Sequence, residues 1–434
     1  MELEWIDDPD NTIPGIVTNT KVENLNGGAM ITYDLPDDDD LLGVKAVYNI
    51  REGEEHEAFS SIYIDTITLF GFGEALKEYS VKLITMDKSR NESAPVEVKI
   101  NPLDPPVVLI RQSLDVKAVR GGIAATWENE FKEEIAVLFY TGDTLGDWNL
   151  YDTKFSNGAN GRAAIRGLAD VEQSFKIEIR DKWDNYSVPL DTILTPLFEE
   201  RIYGRTEDGE YIWEQFGFQN RTAAYRGDCI SPTTDATHKF YYIHDGHGLG
   251  VDEKWEASEI GLLRRFVPTW PDDSYIVWPF YFTIDMGRKA SYSRFRMVQT
   301  KMHQVLPMDF EIWATNDPKQ PYEVGNGSRE DNLKFWTEWP EVEGTDEWKN
   351  DWVKIATCPP VILPSGTTIW DNEGLTNEDM EYLKEGFEWE MNDAAFDSTY
   401  RYLRFVVYEC LRKGWSQIEL GELKVWGELD DSEE

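Results

Sequence analysis

The chain has 434 residues, with 42 Lys and Arg against 82 Asp and Glu, and a formal net charge of −40. The acids are spread through its length, which argues against nucleic acid or an anionic membrane surface as a ligand, since both need basic patches. Three widely spaced cysteines, Cys229, Cys358 and Cys410, imply neither a disulfide framework nor a thiolate metal site.

The first residues, "MELEWIDDPD", are acidic and do not read as a signal peptide. No apolar run approaches a membrane span, so no direct membrane insertion is expected. The expectation is a cytosolic chain or a mature form whose export signal has been trimmed. Length suggests two to four domains. Short alternating runs bounded by Gly, Pro, Asn and Asp dominate, the pattern of sandwiches and barrels.

After a leader at 1–12, an internal repeat runs at an offset of 94 residues without gaps. Gly27-Gly28 matches Gly121-Gly122, and Thr32-Tyr33 matches Thr126-Trp127. "DKSRNESAP" (Asp87–Pro95) matches "DKWDNYSVP" (Asp181–Pro189). The copies span 13–102 and 103–197, each the size of a seven-stranded sandwich module. The Gly-Gly pair suits a hairpin turn before a strand. "DKxxNxS" suits a polar turn in which Asp and Asn bond their own backbone; this structural reading is preferred to a catalytic one. Asp37–Asp40 reads as a solvated loop tip. "NPLDPP" (Asn101–Pro106) predicts a stiff, extended joint between the copies.

Residues 198–434 form the remaining domain, and thirteen of the 17 tryptophans lie there. "TNEDMEYLKEG" (Thr376–Gly386) predicts a helix, with a Thr cap, early acids, and a terminal Lys and Gly. "GWSQIELGELKVWG" (Gly414–Gly427) predicts a strand whose apolar register slips by one. Ile418 and Leu420 share a face that Glu422 would continue, yet Leu423 and Val425 resume the pattern on the other parity. A β-bulge near Gly421 accounts for the slip. The buried carboxylate of Glu422 then needs a partner, either a cation or a Lys or Arg.

Four pieces follow in order in this domain: "FYFTIDMG" (Phe280–Gly287), "FEIWATNDP" (Phe310–Pro318), "YRYLRFVVYE" (Tyr400–Glu409) and the strand just described. Together they resemble a discoidin-like, or factor 5/8 type C, domain. The resemblance implies an eight-stranded jelly roll. The whole arrangement, with "PGIVTNTKVENLNGGAMITYDLP" and "CPPVILPSGTT", resembles Bacteroidetes surface proteins with two fibronectin-III-like modules before a discoidin-like domain. The expected fold class is therefore all-β: two tandem Ig/fibronectin-III-like sandwiches, then a discoidin-like (galactose-binding-like) jelly roll. The resemblance further implies a lipoprotein of a polysaccharide-utilisation locus. Such a protein would be outer-membrane-surface or periplasmic, bind a poly- or oligosaccharide, and have glycan-uptake proteins as partners.

In sugar-binding members of that family a structural calcium sits between an early "DG" loop and the Glu of the last strand. Carried over, the ligands are Asp245 and Glu422, with Asp252 or Glu253 nearby as a further oxygen donor, since calcium takes six to eight oxygens. Here the Thr that usually follows the loop is missing. Zinc at His244 and His247 lacks a third ligand, so both read as surface histidines. Sugars stack C–H faces on exposed rings and need a few placed polar groups. The loops that offer both carry Trp270 and Tyr275, His303 and Gln304, Trp336, Trp339 and Trp348, and Arg412 and Trp415. Trp278, Trp313, Trp352 and Trp426 lie in or beside strands and are assigned to structure. No Ser-His-Asp pattern, Walker loop, dinucleotide fingerprint or "HExxH" stands out. Non-catalytic glycan binding ranks first, a protein-interaction module second, and a glycan hydrolase third.

Overall fold

The computed structural model describes residues 11–143, 146–217, 240–244, 261–264, 279–298, 306–319, 335–336, 346–361, 363, 365, 376–379, 386–410 and 417–433. The chain is all-β and divides into two compact units, Met1–Leu197 and Phe198–Glu434. Among the described residues no helix is long and apolar enough to cross a membrane.

The first unit holds two sandwiches of the same design. In the first, β1 (Thr18–Leu25), β2 (Gly28–Asp34) and β5 (Thr66–Phe70) form one sheet. It faces β4 (Glu54–Ser61), β3 (Leu41–Arg51), β6 (Tyr79–Asp87) and β7 (Val96–Ile100), hydrogen-bonded in that order. The second repeats the scheme. One sheet is β8 (Asp115–Val119), β9 (Gly122–Glu128) and β12 (Asn160–Arg166). The other is β11 (Trp148–Ser156), β10 (Ile135–Gly142), β13 (Gln173–Asp181) and β14 (Leu190–Leu194). Tyr33 and Trp127 occupy matching core positions, 1% and 4% exposed.

Both repeated motifs have structural causes. Gly27 and Gly121 take left-handed backbone (φ 63° and 67°) at the tight turns, which glycine adopts without strain. A Cβ on Gly28 would lie 2.3 Å from the Leu69 carbonyl oxygen, and one on Gly122 1.8 Å from that of Ile165. In the polar turn Asp87 accepts from the Asn91 backbone N–H (2.7 Å) and side-chain amide (2.8 Å). Asp181 does the same for Asn185, at 2.9 Å each. Ser93 and Ser187 then accept from the strand N–H groups of Thr85 and Ile179, both at 3.0 Å. The second turn also fastens the two sandwiches together: Arg51 donates to the Trp183 carbonyl and Asn185 to that of Gly71 (3.2 Å).

The joint holds no helix through Pro105 and ends at once in one. Pro106 opens a helix, α1 (Pro106–Ser113), with Pro105 extended ahead of it (φ −68°, ψ 153°). Proline's missing N–H costs nothing at a first helical position, so the pair starts a helix as readily as it stiffens a linker.

The second unit is a two-sheet roll hinged on one long strand. Its strands are β15 (Glu200–Ile202), β16 (Glu214–Phe216), β17 (Gly261–Arg264), β18 (Phe280–Val298), β19 (Pro307–Thr315), β20 (Val353–Cys358), β21 (Phe387–Glu390), β22 (Tyr400–Cys410), β23 (Gln417–Leu420) and β24 (Glu422–Leu429). β18 breaks register between Asp285 and Ala290, with Gly287 at φ 72°. Before the break it pairs with β16 and β22; after it, with β24 and β21. One sheet is thus β16–β18–β22–β19–β20 and the other β15–β24–β18–β21. Phe282, Ile284, Phe310, Ile312, Leu403, Phe405 and Val407 share the main core with Leu420, Leu423 and Val425. The alternate residues Tyr281, Trp313, Arg404 and Val406 point to the opposite face, as a period of two requires. Of the expected 376–386 helix, Thr376–Asp379 is described, and the Thr376 hydroxyl accepts from the Asp379 N–H (3.1 Å) as its cap.

Candidate functional site

The strand ends at Phe280, Pro307 and Cys410 lie at one end of the roll. Val407 stands opposite Phe280 on one side and Phe310 on the other, and Cys410 stands opposite Pro307. Segment 265–278 leads into Phe280, segment 299–305 leads towards Pro307, and segment 411–416 leaves Cys410. The expected ligand residues Trp270, Tyr275, His303, Gln304, Arg412 and Trp415 lie in these segments, outside the described residues. Trp339, Asp245, Asp252 and His247 also lie outside them.

Trp336 is a correction. The sequence places it on an exposed loop, but it is 1% exposed, as is Trp348. Both belong to a second, smaller core on the outer face of the β18–β22–β19 sheet, with Tyr281, Phe335, Trp352 and Val406. Tyr281 donates its hydroxyl to the Trp336 carbonyl (2.5 Å). The indoles of Trp336, Trp348 and Trp352 surround the Arg404 guanidinium at 4.8, 4.9 and 4.2 Å. These rings solvate a buried cation and offer no shelf for a sugar.

The Glu422 question resolves in part. Gly421 interrupts the strand and donates to the Val298 carbonyl (2.8 Å), so Leu423 and Val425 take the core face. Glu422, 2% exposed, meets Arg201 Nη2 through Oε1 (2.8 Å) and Lys424 Nζ through Oε2 (3.6 Å). Two cations satisfy the carboxylate, and calcium would have to compete with the guanidinium. Among the described residues no three His, Cys, Asp or Glu gather as metal ligands. The melting temperature in millimolar calcium should equal that in chelator. A rise of several degrees would instead mean that the loop of Asp245 and Asp252 closes on Glu422, because a ligand held by the folded state alone stabilises it.

A cleft that the sequence reading missed lies next to this pair. A hairpin-like stretch, "RIYGRTEDGEYIW" (Arg201–Trp213), turns at Thr206–Gly209 and is tied by Thr206 N–H to the Glu210 carbonyl (2.9 Å). His244 ends a 3₁₀ turn (Phe240–His244) and packs on it. A Cβ on Gly204 would lie 2.6 Å from both the His244 ring and the Trp213 indole, so only glycine admits this approach. The cleft holds about 480 Å³ between Arg201, Tyr203, Arg205, Thr206, Trp213 and His244. His244 is 6% exposed, against the surface reading, and burial lowers its pKa to about 4, so the ring is neutral at pH 7. The missed signal was local: two arginines alternating with aromatics around a Gly turn.

Three family models match the chain. DUF4959, a domain of unknown function, covers residues 14–102; DUF5126, a domain of unknown function, covers 103–204; and DUF5000, a domain of unknown function, covers 268–427. No curated protein sequence matches. Among solved structures, the chain is similar to the SusE-like protein BT2857 at 23% identity and a TM-score of 0.37, over 75% of this chain and 100% of that one. It is similar to the C-terminal domain of a chitobiase from Bacteroides fragilis at 14% identity and a TM-score of 0.25, over 54% and 100%. A CBM32 module from Clostridium perfringens, in complex with GalNAc-β-1,3-galactose, is similar at 12% identity and a TM-score of 0.26, over 49% and 94%.

Proposed function

We propose that the second unit binds carbohydrate without cleaving it, and that the paired sandwiches act as its spacer at the cell surface. The supporting observation is the alignment of Phe280, Pro307 and Cys410 at one end of the roll. In sequence, these strand ends adjoin three segments that carry aromatic, amide and guanidinium side chains. Trp270, Tyr275 and Trp415 supply stacking faces, and His303, Gln304 and Arg412 supply hydrogen bonds to hydroxyls. In this reading the chain is a surface lipoprotein that hands glycan to uptake proteins of the outer membrane. Affinity electrophoresis of the full chain through a panel of polysaccharides tests it. Retardation in at least one gel, abolished by Trp270→Ala together with Trp415→Ala, is expected; free migration in every gel would overturn the proposal.

A second reading, protein interaction, has its own observation. The edge strand β11 exposes Leu150 (54%), Tyr151 (43%) and Phe155 (77%), and an apolar open edge invites pairing with another chain. Chemical cross-linking that captures a partner through β11, with no glycan retained, would favour it.

A further inference from the structure

Building on the glycan reading, we infer that the cleft between Arg201–Trp213 and His244 is an anionic subsite that takes the carboxylate of a uronic-acid residue in an acidic glycan.

Its walls carry mostly donors, beside the exposed Glu207 carboxylate. Arg201 Nε, Arg205 Nε and Trp213 Nε1 are buried and have no hydrogen-bond partner among the described residues. Arginine and indole nitrogens can only donate. Both ring nitrogens of His244 are also buried and unpartnered among the described residues, and the neutral ring offers one donor and one acceptor. A buried polar atom left unmet costs about 1–3 kcal/mol, and native proteins leave few of them. Several such atoms around one cavity call for an occupant rich in acceptors. A carboxylate fits, because its two oxygens accept from guanidinium groups in charge-assisted bonds. Arg201 is only half committed: its Nη2 serves Glu422 and its Nε is left over.

The cleft also suits a sugar more than a free anion. At its mouth Tyr203 is 62% exposed and lies 5.1 Å from the Arg201 guanidinium, which holds a flat face beside the donors. The Thr206 hydroxyl lines the same cleft. The chain's charge of −40 opposes an anion at long range, but that field is screened beyond about 8 Å at physiological ionic strength. Inside the cleft the guanidiniums of Arg201 and Arg205 stand against one lining carboxylate, the exposed Glu207, with Glu422 paired to Arg201.

The test uses the full chain in affinity gels and calorimetry with polygalacturonate, its methyl ester, alginate, a sulfated glycan and a neutral glucan. Polygalacturonate or alginate should bind about tenfold more tightly than the ester. Arg205→Gln and Tyr203→Ala, with unchanged circular dichroism, should each weaken uronate binding about tenfold. Equal affinity for acid and ester, retention of the sulfated glycan alone, or wild-type uronate binding by Arg205→Gln would overturn the subsite. Retention of the neutral glucan with no uronate bound would overturn it while leaving the glycan reading standing. Failure of every glycan would remove both.

Discussion

Replacing Arg404 with Ala should destabilise the second unit by about 4 kcal/mol, the scale of breaking a buried charged site or emptying a large core position. The side chain is fully buried and sits under three indoles. Its Nε donates to Thr283 Oγ1 at 2.9 Å. Desolvated cation–π contacts reach about 2 kcal/mol or more, and truncation also leaves a cavity that three rigid rings cannot collapse to fill. For a unit of this size the loss corresponds to a drop of about 10 °C in melting temperature. Tryptophan fluorescence reports this transition well, since thirteen of the 17 tryptophans follow residue 199. Arg404→Met, which keeps the volume, should lose less than half as much. If Ala and Met fall together by under 1 °C, the cation contributes nothing and the ring cluster holds itself. Either way, Trp336→Ala should register in the melt and not in glycan affinity.

That expectation inverts the sequence reading of Trp336, and the reason is physical. The fold of the chain was legible because its signals are local. The Gly-Gly turns, the Asp-Asn-Ser turn and the alternation along β18 and β22 each declare themselves within ten residues. The slip at Gly421 was legible too, since parity along one strand needs no partner to be read. Trp336 was not. Its burial depends on contacts with Tyr281 and Arg404, which are distant in sequence. Nothing near residue 336 encodes that. The partner of Glu422 was also distant: Arg201 is 221 residues away. The alternation of arginines and aromatics in Arg201–Trp213 was local and readable, but its meeting with His244 and its unmet N–H groups are properties of the packed state alone. The double proline was legible as far as Pro105, which is extended; the helix from Pro106 was not, because the same fixed φ serves an extended joint and a first helical turn.

Replacing Arg294 with Leu should cost about 4 kcal/mol by a separate route, a stranded carboxylate. Arg294 grips Glu199 through Nε (3.1 and 3.2 Å) and Nη2 (2.7 Å), and Glu388 through Nη1 (2.8 Å). Its guanidinium lies 3.9 Å from the centre of the Trp426 ring. The side chains of Arg294 and Glu199 are 6% and 3% exposed, so neither charge has water to fall back on. Without Arg294, Glu199 keeps among the described residues only the Ser293 hydroxyl (2.6 Å), whereas Glu388 still has Arg296 (2.9 Å). The damage should therefore be specific to Glu199. Denaturant unfolding of Arg294→Leu, Glu199→Gln and the double variant forms the cycle that isolates it. Removing the stranded charge should restore about half of the loss, leaving the double variant more stable than Arg294→Leu alone. If the two losses simply add, the pair is not coupled. The first residues of the second unit would then be held by the β15–β24 ladder, with the ion pair incidental to it.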